Sequence, residues 1–135
     1  MRVILRIFII SAGALLLLIG AVVAYDTYDR WEIERYYSTR PLQKRMLASA
    51  TRADGWIQMT STGPKEVLLN YMPLGTSEKE IFTMLTAEGF TCEYLPVRKE
   101  LPRMVCHASY RFRWHIELKT DENEKLTDAR VLMLK

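Results

Sequence analysis

Few side chains in this sequence can do strong chemistry, and most of them are confined to one stretch. The only cysteines are Cys92 and Cys106, and the only histidines are His107 and His115. The cysteines have three readings: a structural disulfide, two buried thiols or a redox pair. No C-x-x-C spacing supports redox chemistry. Pairing Cys92 with Cys106 across an antiparallel hairpin sets Phe90 against Ala108, Tyr94 against Met104 and Pro96 against Pro102, around a loop from Val97 to Leu101. Apolar side chains then face apolar side chains, and the prolines sit at the loop edges, where lost ladder bonds matter least. Opposed residues of such a pair have the Cα separation a disulfide needs. The hairpin therefore predicts a Cys92–Cys106 bond, contributing about 3 kcal/mol for a loop of this size.

The same alternation puts His107 and His115 on the face opposite Cys106, so a joint Cys/His metal site would need a strand break or a register slip. No metal or cofactor is expected. Asp121, Glu122 and Glu124 lack the spacing and glycine of an EF-hand loop and read as a solvated turn. No G-x-S-x-G, H-E-x-x-H or phosphate-binding glycine loop occurs. With no assembled nucleophile, base and oxyanion donor, a non-enzymatic protein is expected. Arg111, Arg113 and His115, with Arg98, Lys99 and Arg103 within reach, could form a patch for acidic headgroups or an anionic partner. Glu93 and Glu117 nearby favour a plain solvated strand face instead. The row Tyr110, Phe112, Trp114 reads as core.

The elements that must position these residues follow from pattern. Phe90, Cys92 and Tyr94 alternate, and so do Met104, Cys106, Ala108, Tyr110, Phe112, Trp114, Ile116 and Leu118, giving one apolar and one wet face. After the acidic turn, Lys125 to Leu134 returns as a last strand. Ser77 and Glu80 form a capping box, so a helix starts at Glu78, buries Ile81, Phe82 and Leu85, and stops at Gly89. An earlier helix is predicted from Pro41 to about Ala53, burying Leu42, Met46 and Ala50, with Asp54-Gly55 as its stop. Trp56 to Thr60 reads as a short strand and Ser61 to Pro64 as a turn, while Lys65 to Met72 fits either a strand or a short helix. Helices followed by an antiparallel meander make an α+β domain, with the helices on one face of a small sheet.

Upstream lies a segment of another kind. Ile7 to Tyr25 is 19 residues without a charge, reaching about 28 Å as a helix, close to the hydrocarbon thickness of a bilayer. Arg2 and Arg6 flank it on one side and a net acidic stretch on the other. The positive-inside rule then puts the N-terminus in the cytoplasm and the remainder outside a bacterial inner membrane, in the oxidising periplasm. Tyr25, Tyr28 and Trp31 follow as interfacial anchors in contact with the lipid bilayer. Gly13, Gly20 and Ala24 share one helical face on which a partner helix could pack. A cleaved signal peptide is the competing reading, since Val22-Val23-Ala24 offers a cleavage site before Tyr25; the apolar run exceeds the usual signal-peptide core, which favours retention. The resulting division is a transmembrane signal anchor over 1–25, a helical stalk over 26–40 and a periplasmic α+β domain over 41–135.

Charge supports this division. Lys and Arg number 19 against 16 Asp and Glu, and without Arg2 and Arg6 the balance is 17 to 16. That excludes a polybasic nucleic-acid binder, and the composition beyond residue 25 is that of an ordinary globular domain rather than a disordered chain or a multi-span transporter.

The run Leu74-Gly75-Thr76-Ser77-x-x-Glu80-Ile81-x-x-x-Leu85-x-x-x-Gly89-Phe90, with Trp114-x-Ile116-x-Leu118 and a terminal hairpin, resembles small bacterial envelope modules over residues 66–134. These are the α+β domains of outer-membrane assembly lipoproteins and the β-lactamase-inhibitor-protein-like group. The resemblance implies a non-enzymatic domain that packs two helices on a small antiparallel sheet and binds proteins; it assigns no functional residues, and the chain lacks the lipidated cysteine of those lipoproteins. Together the readings point to an accessory or structural subunit of an envelope or inner-membrane protein complex. The alternative is a cleaved, soluble periplasmic binding or inhibitor module.

Overall fold

The computed structural model describes residues 2–50, 62–96 and 101–134, with side chains from Ser11 onward. Its contacts divide the chain into two units, Met1–Ser38 and Thr39–Lys135.

The first unit is one helix, α1 (Arg2–Ser38), 37 residues long. Within it lies a segment long and apolar enough to cross a membrane, with Leu15 to Leu18, Val22 and Val23 exposed around its surface. The helix runs unbroken past Ala24 and Tyr25 into the aromatic stalk. There Thr27 Oγ1 donates to the Val23 carbonyl, Arg30 pairs with Asp26 at 3.0 Å, and the Arg35 guanidinium lies 5.2 Å from the centre of the Trp31 ring. It ends at Ser38, two residues short of Arg40, which as the residue before Pro41 is disfavoured in helical geometry. Pro41, whose missing N–H would have been unpaired anyway, opens the next helix.

The second unit holds α2 (Pro41–Ala50), α3 (Thr62–Tyr71), α4 (Glu78–Ala87) and strands β1 (Thr91–Tyr94), β2 (Met104–Ser109), β3 (Arg113–Thr120) and β4 (Leu126–Leu134). The strands form an antiparallel meander in the order β1-β2-β3-β4, so the unit is α+β as the patterning predicts. Leu42, Met46, Leu68, Met72, Ile81 and Leu85 from the helical segment meet Met104, Cys106, Trp114, Ile116, Leu118, Val131 and Met133 from one sheet face in a single core. Trp114 is 1% exposed, with Phe112 packed against the cluster.

Local chemistry sets the element ends. The capping box is present: the Glu80 amide donates to Ser77 Oγ and the Ser77 amide to Glu80 Oε2. At the other end Gly89 adopts φ +83°. Phe90 and Gly89 donate to the Leu85 and Thr86 carbonyls, the paired bonds of a Schellman motif.

Three expectations change and one open reading resolves. Thr62 to Pro64 form the first turn of α3 rather than a separate turn, a place where proline costs no helical bond. Lys65 to Met72 resolves as helix because Leu68 and Met72, four apart, both reach the core. Phe82 is 36% exposed: Ile81 and Leu85 occupy the inward stripe, and Phe82 stacks instead on Tyr94 with ring centroids 5.7 Å apart. The long alternating run from Met104 to Leu118 is two strands, folded at Tyr110 to Phe112 with Ser109 opposite Arg113. On β4 a register shift at Lys119/Thr120 moves the inward positions from Leu126 to Ala129, Val131 and Met133, as one extra residue in a strand must. The strand read over Trp56 to Thr60 and the Asp54-Gly55 stop lie outside the described residues.

Candidate functional site

The predicted hairpin register is the observed one. Cys92 faces Cys106 and Tyr94 faces Met104, and the Leu95 amide continues the ladder to the Arg103 carbonyl at 2.9 Å. Cys92 and Cys106 form a disulfide, with Cα atoms 4.0 Å apart. Cys106 is fully buried on the core side of the sheet, so the bond closes β1 onto β2 and removes both sulfurs as metal ligands.

A groove of about 570 Å³ runs along one end of the sheet, lined in part by Glu78, Leu101, Arg103, Lys119, Thr120 and Thr127. At its inner wall the Glu78 side chain is only 6% exposed. Its Oε1 accepts from Thr120 Oγ1 at 2.5 Å and lies 3.4 Å from Arg103 Nε. A carboxylate in the first turn of α4 also meets the positive end of the helix dipole. Burial, with the Glu78 and Glu124 carboxylates adding to it, pushes the Tyr94 phenol above its usual value. The adjoining acidic turn is held by Asp121, whose Oδ1 accepts the Asn123 and Lys125 amides at 2.8 and 2.9 Å. That is the solvated-turn role expected of it. The groove therefore offers a clamped carboxylate, two flanking cations and the carboxylates of Asp121, Glu122 and Glu124, and neither histidine lines it.

Both histidines sit on the other, wet face of the sheet. His107 on β2 is directly opposite His115 on β3, with ring centroids 5.5 Å apart. His115 Nε2 lies 3.2 Å from Glu117 Oε1, and Glu117 in turn lies 3.8 Å from Arg130 on β4. Among the described residues no group of three or more His, Cys, Asp or Glu side chains is arranged to hold a metal. The three residues read as an anionic-partner patch separate: Arg113 and His115 project from β3 onto the wet face, whereas Arg111 sits in the β2–β3 turn with its guanidinium 5.9 Å from the Tyr110 ring. Arg103 is drawn to Glu78 and to the Leu95 carbonyl, 2.7 Å from its Nη1. Arg98 and Lys99 lie outside the described residues.

On α1, Arg2 and Arg6 lie in the first two turns. Tyr25, Tyr28 and Trp31 are exposed just beyond the apolar stretch, with the Tyr28 and Trp31 rings 6.2 Å apart. Gly13, Gly20 and Ala24 are exposed, and a methyl group added at either glycine would meet nothing within 4 Å.

One polar cluster escapes the patterns entirely. Glu88, at the C-terminal cap of α4, is 4% exposed. Its Oε2 accepts the Leu42 amide at 3.0 Å, its backbone carbonyl accepts from Gln43 Nε2 at 2.6 Å, and Tyr71 Oη approaches Oε1 at 3.5 Å. Glu88 thus caps α2 from 46 residues away. An acidic residue at a helix C-terminus opposes its own helix dipole, and that misfit is the one sequence signal that it serves another element. Burial and the Glu88 carboxylate together raise the Tyr71 phenol above its usual value.

The chain matches no protein-family model, no curated protein and no solved structure.

Proposed function

We propose that this chain is a single-pass membrane protein, anchored by α1 with its N-terminus in the cytoplasm. Its disulfide-closed α+β domain works on the periplasmic side of the bacterial inner membrane as a non-enzymatic accessory or structural subunit of an envelope or membrane complex. The observation that carries this reading is the continuity of α1. The apolar stretch passes into the aromatic stalk without a break, and the helix continues across the Ala24–Tyr25 bond. The Cys92–Cys106 bond suits an oxidising compartment. The exposed Gly13, Gly20 and Ala24 face gives a partner helix room to approach.

The test is copurification from native membranes in mild detergent, combined with intact mass. An uncleaved chain that brings down a defined integral membrane protein, and loses it when Gly20 is replaced by Ile, supports the proposal. A mature N-terminus at Tyr25, or an uncleaved chain recovered only as free monomer, overturns it.

A further inference from the structure

The geometry points to a zinc-binding site on the wet face of the sheet, made by His107 and His115. The β2–β3 register puts the two residues on one rung, where side chains project to the same side. A zinc ion binds imidazole nitrogen at about 2.0–2.1 Å, and each nitrogen is about 1.1 Å from its ring centre, so the ion lies about 3.2 Å from each centroid. Two imidazoles on a tetrahedral ion then have centroids about 5.2 Å apart, and two at a right angle on a tetragonal ion about 4.5 Å. The observed separation of 5.5 Å is close enough for the two rings to share one ion, and imidazole nitrogen is a common zinc ligand.

Glu117 supplies the orienting group. Its carboxylate stands 3.2 Å from His115 Nε2, and a ligating histidine characteristically donates its second ring nitrogen to such a carboxylate, which fixes the tautomer and makes the ring a better donor. With Nε2–H directed at Glu117, Nδ1 of His115 carries the lone pair for the metal. Arg130 lies 3.8 Å from the other carboxylate oxygen. His107 is exposed and His115 half-buried, so the ion can enter from solvent. With two protein ligands, the remaining positions of the tetrahedron are open to water or to a donor from another molecule.

Because these are the only histidines in the chain, their ring resonances report the site without ambiguity. Zinc chloride is titrated into the untagged full-length chain in detergent and followed by NMR and calorimetry. Both histidines should shift along one isotherm with a stoichiometry of one. His107→Gln, at an exposed position and checked by near-UV circular dichroism, should weaken zinc binding at least tenfold. Glu117→Gln, acting as a positioning residue, should weaken it less while His115 still shifts. Ring resonances that stay fixed at millimolar zinc, or a shift confined to one histidine, overturn the site. Zinc binding left unchanged by His107→Gln also overturns it and assigns the ion to the acidic turn at Asp121 to Glu124.

Discussion

Replacing Glu88 tests the connection between α2 and α4 directly. In the native fold its carboxylate accepts the Leu42 amide at 3.0 Å, one of the amides that the first turn of α2 cannot satisfy internally. A hydrogen bond to a charged group contributes about 1.5–3 kcal/mol against about 1 kcal/mol for a neutral one, and a charge at a partly buried helix end adds up to about 2 kcal/mol. Burying the carboxylate costs part of that back. Glu88→Gln keeps the shape and an acceptor but loses the charge, so a net destabilisation of about 1 kcal/mol is expected. Glu88→Ala also leaves the buried Leu42 amide unpaired and a void beside Tyr71, for about 3 kcal/mol. For a domain of this size these correspond to falls in Tm of roughly 4–8 °C and more than about 12 °C. Thermal unfolding of the full chain in mild detergent, followed by near-UV circular dichroism, reads the loss of packing around the buried Trp114. Hydrogen exchange at Leu42 localises the loss. The Gln variant should also let the Tyr71 pKa fall back toward 10.0. Because that pKa is raised in the fold, the stability it carries is complete below the unfolded value and fades as pH rises through the folded one. A Gln variant as stable as the parent, with Leu42 equally protected, would show that desolvation cancels the whole benefit of the charge.

Three other outcomes are expected. Replacing Cys92 and Cys106 by Ser together should cost about 3 kcal/mol in denaturant unfolding, whereas unchanged stability would mean that the β1–β2 pairing needs no crosslink. Gly89→Ala places a methyl group 2.6 Å from Arg40 Nε at a φ of +83°, so it should destabilise by about 1 kcal/mol or more by calorimetry; a neutral result would contradict the left-handed cap. The Lys65 hydrogen bond is the main cause holding the Asp128 carboxyl below its usual value, so this pair favours the fold above the unfolded pKa and loses its effect as pH falls through the folded one. Lys65→Met should raise the Asp128 midpoint seen by NMR, with only a slight change in acid stability, because the two side chains are 37% and 55% exposed and solvent screens them.

Wherever neighbouring residues decide the outcome, the structure was legible beforehand. The apolar run from Ile7 to Tyr25 needs only its own length and lack of charge to read as a membrane-crossing helix. The Ser77/Glu80 box and Gly89 bracket α4 through bonds that close within a few residues. The Cys92–Cys106 rung could be deduced because one register alone matches apolar to apolar and puts both prolines at the loop. The fold at Tyr110 to Phe112 could not be deduced: Ser109 opposite Arg113 keeps the alternation in phase, so a hairpin and a continuous strand bury the same residues, and no Gly, Pro, Asn or Asp marks the turn. The exposure of Phe82 is not legible in sequence, because which of two adjacent side chains turns inward depends on where the sheet has room.

The functional surfaces divide in the same way. Sequence determined that both histidines belong to the wet face, because side-chain direction in a strand follows from parity. Only tertiary structure made them partners, because being on one rung depends on where the strand turns back. Glu78 with Thr120 and Arg103, and Glu88 with Leu42, are likewise contacts between residues remote in sequence. Each buried carboxylate offsets its desolvation with donors from another element, and those donors come into reach only once the helices have closed over the sheet.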